Sequence, residues 1–197
     1  MGKDIFKLWL AMWFKPQDVF PGILRGGFWV GTIFLGVITQ CYISLVSVYT
    51  ELIKVKLTLS LAQLMPAVGM YMLLTVVTFF LYCGILKLLI TPYSKGVEFK
   101  DIIKAVVWAG VPLTAGFVLF LFHLSDFTHA SMQNIGVLET VSFVIQAVFG
   151  LWSFLLSLDC IKMACNLHSR WNAFCGIFVA AFLTKVIVAV SLVFLQK

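Results

Sequence analysis

The sequence contains little charge. Only 11% of its 197 residues are Asp, Glu, Lys or Arg, whereas 62% are hydrophobic, and the mean hydropathy is +1.06. One soluble domain of this size cannot keep so much apolar surface from water. The few charges are also collected into short segments instead of being spread over a surface. We therefore expect an integral membrane protein.

The sequence also lacks the usual catalytic motifs. It has no Walker A sequence, no dinucleotide-binding glycine pattern, no pair of Cys-x-x-Cys motifs and no Gly-x-Ser-x-Gly elbow. We expect a protein that is not an enzyme and holds no cofactor. The odd number of cysteines argues against a secreted disulfide framework. All five lie in or beside apolar segments and are expected to be buried thiols: Cys41, Cys83, Cys160, Cys165 and Cys175.

Five stretches are long enough to cross the hydrocarbon layer, which requires about 20 apolar residues. They cover residues 27–48, 67–90, 105–122, 140–158 and 173–195. The fifth contains Lys185, which is tolerated if it faces protein or water. The predicted fold is all-α: a polytopic helical membrane bundle of five transmembrane helices at 27–197, preceded by an amphipathic interfacial helix within 1–26.

The first fourteen residues have a narrow charged stripe and a wide apolar face that includes Trp9 and Trp13. The stripe carries Lys3, Asp4, Lys7 and Lys15. This pattern predicts a helix lying in the headgroup region, with lysines toward anionic lipid; the alternative is a docking helix for a partner protein. Pro16 predicts that the helix stops near Phe14. No small-residue cleavage site follows, so we expect this segment to be retained.

Lys and Arg are unevenly distributed over the short loops. With the N-terminus inside, ten fall on the inner side and three on the outer side. This bias predicts a cytoplasmic N-terminus and an outside C-terminus. We expect the cell membrane of a bacterium or archaeon, with a eukaryotic ER or Golgi membrane as the alternative. The positive charge is a topology signal, and we expect no nucleic-acid partner.

Lys185 is the first candidate for function, because an ionisable group near mid-membrane is costly. Gln40 and Gln146 are polar side chains at similar depth, and Pro112 predicts a kink in the third span that could open a cleft. Together they suggest a transport or lipid-handling subunit. The alternative is structural, with Lys185 extending toward the outer interface.

The second candidate is a weak metal motif, His123, Asp126 and His129, at the outer end of the third span. These side chains converge only if the segment turns, because in one helix they spread over about 120°. The alternative is a set of ordinary polar residues at headgroup level. A metal-dependent membrane enzyme remains the third hypothesis.

Three features of the sequence belong together: the segment 14–20 (FKPQDVF), the segment 96–102 (GVEFKDI) with 109–112 (AGVP), and the short polar link at 162–170. In these features the sequence resembles the YIP1 family of five-span membrane proteins in its short prokaryotic form. The resemblance implies a cytoplasmic N-terminus and five helices. Eukaryotic members are associated with vesicle trafficking and Rab-type GTPases. The sequence departs from many of them in having no long hydrophilic N-terminal region, which argues against a GTPase-adaptor role.

The leading hypothesis is a non-enzymatic membrane protein that organises or scaffolds membrane partners or lipids. Its expected partners are membrane lipids and other membrane proteins or further copies of itself, as a homo-oligomer. The candidate binding residues are Trp9, Trp13, Lys3, Lys7, Lys15, Lys185, Gln40, Gln146 and Pro112.

Overall fold

The computed structural model describes residues 2–26, 28–55, 61–94, 96–127 and 135–195. Every regular element in these residues is helical, which confirms the all-α fold. A 3₁₀ turn, Thr91–Tyr93, follows the fourth helix. The α-helices are α1 (Gly2–Phe14), α2 (Pro16–Arg25), α3 (Trp29–Val55), α4 (Leu61–Ile90), α5 (Phe99–Ala109), α6 (Val111–Phe127), α7 (Ile135–Ala164) and α8 (Arg170–Leu195).

Five segments are long and apolar enough to cross a bilayer, as predicted. They are Trp29–Val48, Met65–Tyr93, Phe99–Leu119, Phe143–Ala164 and Arg170–Ser191. The third segment lies at the centre of the bundle, because 61% of it is buried, against 17–33% of the other four. The other four expose apolar side chains, as expected for helices that face lipid.

The third span is interrupted between α5 and α6, at the position where Pro112 predicts a kink. Pro112 lies in the first turn of α6 and is fully buried. Proline has no amide hydrogen to donate to the carbonyl of Trp108, four residues earlier. At the break, the Leu113 amide donates to the Gly110 carbonyl at 2.9 Å. The helical hydrogen bonding is therefore interrupted in the core of the bundle, and Pro112 lines neither of the two clefts described below.

The first span runs beside the third in the same direction. The Trp108 indole nitrogen donates to the Thr32 hydroxyl at 3.0 Å. Further along, the rings of Tyr42 and Phe117 meet edge-on, with centroids 6.4 Å apart. The two contacts are ten residues apart on α3 and nine residues apart on the α5–α6 span. The two spans are therefore parallel to each other.

The N-terminal helices pack against the bundle. α1 ends at Phe14, in agreement with the predicted effect of Pro16. α1 contacts α6, while α2 packs along α7. Met12, Phe20 and Ile23 are fully buried and belong to the same apolar core as the spans. The N-terminal segment is therefore an integral part of the fold.

Candidate functional site

One end of the bundle collects basic side chains. α2, α4 and α7 end there, and α5 and α8 begin there. We call it the basic end; its described Lys and Arg residues are Arg25, Lys87, Lys100, Lys104, Lys162 and Arg170. The candidate site is built from the turns at this end.

The turn between α7 and α8 depends on one residue whose backbone has the left-handed conformation. Asn166 has φ +48°, and the Leu167 amide donates to the Lys162 carbonyl at 2.9 Å. The Asn166 amide donates to the Met163 carbonyl at 3.3 Å. These two bonds form a Schellman motif, which ends a helix and reverses the chain; Asn takes the place of the usual Gly. As a result, Leu167 turns inward and is buried.

The start of α8 is held by two further contacts. The Arg170 guanidinium donates to both carboxylate oxygens of Asp159, at 2.6 and 2.9 Å. Such a two-pronged pair fixes geometry as well as charge. The Ser169 hydroxyl accepts from the Asn172 amide at 3.3 Å, as an N-cap does. Together these contacts fix the first turn of α8.

A cleft of about 360 Å³ lies between the end of α4 and the start of α8. Tyr93 and Trp171 stand at its mouth and are 75% and 68% exposed. Its wall continues along α8 through Asn172 to Val179. Eight residues separate Trp171 from Val179, about 12 Å along the helix. The cleft therefore passes from a polar, aromatic mouth to an apolar interior.

Two details shape this cleft. A Cβ atom on Gly176 would lie 3.3 Å from the Ile90 side chain, so glycine allows α4 and α8 to approach closely. Behind the mouth, the Ser94 hydroxyl donates to the Cys165 carbonyl. This bond ties the turn after α4 to the turn after α7. Tyr93 and Trp171 at the cleft mouth therefore follow from two turns that are joined by a hydrogen bond.

The local electrostatics differ between the surface and the interior of this end. Burial raises the pKa of the Cys165 thiol to about 12, and the nearby negative charge of Asp101 adds to the effect. At the surface, a hydrogen bond and the positive charge of Lys100 lower the pKa of Glu98. The thiol thus stays protonated near neutral pH, while the exposed carboxylate stays charged.

Lys104 makes the most extensive polar contact at the basic end. Its side chain is 3% exposed, and its ammonium group donates to the carbonyls of Ile23, Leu24 and Gly26 at 3.2, 3.0 and 3.1 Å. It also lies 5.3 Å from the centre of the Trp29 ring. A cation at a helix C-terminus satisfies free carbonyls and the helix dipole. Lys104 therefore fastens α2 to α5.

Gln40 lies in a second, apolar groove of about 330 Å³ between α3, α4 and α5. The groove begins at Trp29 and reaches Gln40 eleven residues later, about 16 Å along α3. Ile33 and Val37 on its edge are well exposed. This groove faces the surroundings of the bundle, where the bilayer lies.

Lys185 does not lie in either cleft. Its side chain is exposed on α8, beside the exposed Phe182 and Val186. α8 packs mainly on α4 and α7, whereas Gln40 is on α3. Gln146, on α7, is half-buried. The structure therefore does not bring Lys185 and Gln40 together, and Lys185 does not face the bundle interior.

The candidate residues of the N-terminal segment separate into two groups. The Trp9 indole nitrogen donates to the Thr114 hydroxyl at 2.8 Å, and the Trp13 ring meets Phe149 edge-on, with centroids 5.8 Å apart. Both tryptophans thus contact the bundle. Lys7 and Lys15 are exposed, and the side chain of Lys3 lies outside the described residues.

The metal hypothesis cannot be placed on this structure. The side chains of His123 and Asp126, and the whole of His129, lie outside the described residues. In the part of the chain that is described, no three His, Cys, Asp or Glu residues come together as metal ligands.

The cysteines are only partly as predicted. Cys83, Cys160 and Cys165 are buried, and Cys41 is half-buried. Cys175 is exposed in the cleft between α4 and α8, so the expectation of a buried thiol is wrong there. It faces outward because Gly176, the next residue, is the one that contacts α4.

The two aromatic residues at the cleft mouth were not among the candidate residues predicted from the sequence. Tyr93 is the last residue of the second span and Trp171 is the second residue of the fifth. Tyr and Trp are enriched where spans meet the membrane–water interface. Their position at the span borders is therefore the sequence signal that marks them.

The sequence matches the Yip1 domain over residues 10–192, nearly its whole length. No curated protein and no solved structure matches it.

Proposed function

Since the chain belongs to the YIP1 family of membrane proteins, we propose that it is a non-enzymatic membrane protein that organises phospholipids and partner proteins around itself. The observation that supports this function is the cleft between α4 and α8, with Tyr93 and Trp171 at its mouth.

The cleft suits a phospholipid because its polarity changes along its length. Tyr and Trp rings favour the headgroup level of a bilayer, and Asn172 offers an amide for hydrogen bonding. The interior, at Gly176 and Val179, is apolar and suits the upper part of an acyl chain. The basic side chains of this end attract anionic headgroups. Each Lys or Arg near the surface contributes about 1 kcal/mol of binding free energy.

The groove between α3 and α5 supports the same function. Its length from Trp29 to Gln40, about 16 Å, is close to half of the hydrocarbon thickness of about 30 Å. One leaflet's acyl chain occupies the same depth. The two clefts together would hold lipids of the leaflet at the basic end in preferred positions.

We place the basic end and the N-terminus in the cytoplasm and the C-terminus outside, in a bacterial or archaeal cell membrane. Support comes from the Lys and Arg residues collected at the basic end. The cytoplasmic leaflet carries anionic lipids in many membranes, which matches the charge of this end.

The function is tested by counting bound phospholipids. Protein purified in mild detergent is compared with a Tyr93→Ala/Trp171→Ala variant by native mass spectrometry and lipid extraction. We expect a several-fold loss of retained phospholipid in the variant. Trp152→Ala is the matched control, because Trp152 is also exposed, at 41%, but lies on α7 outside the cleft. Equal lipid retention in all three proteins would reject the proposal.

A further inference from the structure

Charged residues mark two borders on the spans. On α7, Glu139 and Asp159 are twenty residues apart, about 30 Å along a helix. Along α5 and α6, Lys104 and Asp126 are 22 residues apart, about 33 Å. Both lengths agree with a hydrocarbon layer of about 30 Å. The backbone between these positions therefore lies in the charge-free layer.

The part of α1 from Trp9 to Trp13 lies near the middle of this layer. Thr114, which binds Trp9, is ten residues beyond Lys104. Phe149, which contacts Trp13, is ten residues before Asp159. Both positions are about 15 Å from the basic end. Two different spans thus place this part of α1 at the same depth.

α2 leads from the middle of the layer back to its border at the basic end. It has ten residues, about 15 Å of helix, and its last carbonyls meet Lys104. α1 and α2 therefore form a re-entrant hairpin, with its bend at Lys15 in the middle of the charge-free layer.

The bend exposes polar side chains at this depth. Lys7, Lys15, Gln17 and Asp18 are all exposed, and we call them the polar edge. Neither Lys15 nor Asp18 forms an ion pair with any side chain that the structure describes. A lysine can extend toward the interface, but the short Asp18 side chain cannot. Exposing such a charge to lipid costs about 3 kcal/mol or more, so protein or water must cover this edge.

We propose that the polar edge is the contact surface for a second copy of this chain. Lys15 and Asp18 carry opposite charges three residues apart, so the edge is complementary to itself. A two-fold axis beside it would bring Lys15 of each copy to Asp18 of the other, as in an isologous dimer. Leu10 and Phe14, 48% and 76% exposed, supply apolar contact beside the charges. This inference extends the proposed function by naming one partner.

The experiment reverses the charges separately. Lys15→Asp makes the edge negative and Asp18→Lys makes it positive, and each full-length variant is reconstituted in nanodiscs or liposomes. Dimers are counted by single-molecule photobleaching. Each variant alone should lose at least tenfold in dimer fraction, whereas the two variants expressed together should recover it as a mixed dimer. Recovery also shows that both variants fold. Lys100→Asp, an exposed change at the basic end, is the control and should pair as wild type does.

A wild-type protein that stays monomeric in liposomes would overturn the inference, as would mixed variants that fail to pair. Labelling of an Asp18→Cys variant by a membrane-impermeant reagent would also overturn it, because a water-filled space would then cover the edge. Lipid retention distinguishes the two proposals. Loss of pairing with normal lipid retention rejects only the dimer; normal pairing without lipid retention at the Tyr93 and Trp171 cleft rejects only the proposed function.

Discussion

The ammonium group of Lys104 lies 3.0 Å from the carbonyl oxygen of Leu24, eighty residues earlier in the chain. This contact joins the end of the re-entrant hairpin to the most buried span. It shows how one side chain satisfies backbone groups that a bilayer cannot satisfy.

Replacing this lysine tests the contact directly. Lys104→Met leaves three carbonyls without their donor, so we expect the free energy of unfolding to fall by about 1.5–3 kcal/mol. Thermal unfolding in mild detergent, followed by tryptophan fluorescence, should show a melting temperature lower by several degrees. Lys100→Met is the control, because that side chain is exposed. An equal effect of both changes would contradict the assigned role of Lys104.

Trp9 and Trp13 provide a matched pair. The Trp9 indole donates to Thr114, whereas the Trp13 indole nitrogen has no hydrogen-bond partner in the described part of the chain. Trp→Phe removes similar ring area at both sites, but it breaks a hydrogen bond only at Trp9. We expect Trp9→Phe to cost about 1 kcal/mol more than Trp13→Phe in unfolding measurements. Equal costs would mean that the indole bond contributes nothing.

Asn166 tests the turn that builds the cleft. Its left-handed backbone disfavours a Cβ atom without a local polar group, so Asn166→Ala should lower the free energy of unfolding by about 1–2 kcal/mol. Asn166→Gly should retain or raise it, because glycine adopts this conformation freely. Thermal unfolding measures the stability of both variants. An alanine variant as stable as wild type would show that the turn does not need the left-handed conformation.

Thiol labelling tests burial and ionisation at the basic end. Variants that keep only Cys165 or only Cys175 are treated with a maleimide in detergent. The Cys175 variant should react without denaturant. The Cys165 variant should not, because its thiol is buried and its pKa is raised to about 12. Raising the pH from about 8 to 9.5, which ionises an ordinary thiol of pKa about 8.5, should leave Cys165 unlabelled. Labelling of Cys165 without denaturant at the rate of Cys175 would refute its burial.

Lys185 distinguishes lipid organisation from transport. Its exposed position on α8 predicts that Lys185→Met keeps lipid retention unchanged and keeps or raises the melting temperature, because a charge leaves the apolar surface. Native mass spectrometry and thermal unfolding measure both. Normal folding with loss of lipid retention would instead favour a lipid pathway through this residue.

The amino-acid sequence by itself determined the bundle and its number of spans. Length and hydropathy of each apolar segment are properties of the segment alone, since a helix that crosses lipid satisfies its own backbone. The end of α1 at Phe14 and the break before Pro112 are equally local, because proline acts on the residues directly before it. These features could therefore be predicted without knowledge of the fold.

The partners of individual side chains were decided only by the tertiary structure. Lys104 binds Leu24 and Trp9 binds Thr114 across separations of 80 and 105 residues, and no local pattern encodes such pairs. Helix rotation decided that Cys175 and Lys185 face outward. In an almost uniformly apolar span, periodicity marks no preferred inward face. Contact with neighbouring helices decides which face of each helix points inward. For this reason, the cleft and the depth of the N-terminal hairpin could be identified only in the folded chain.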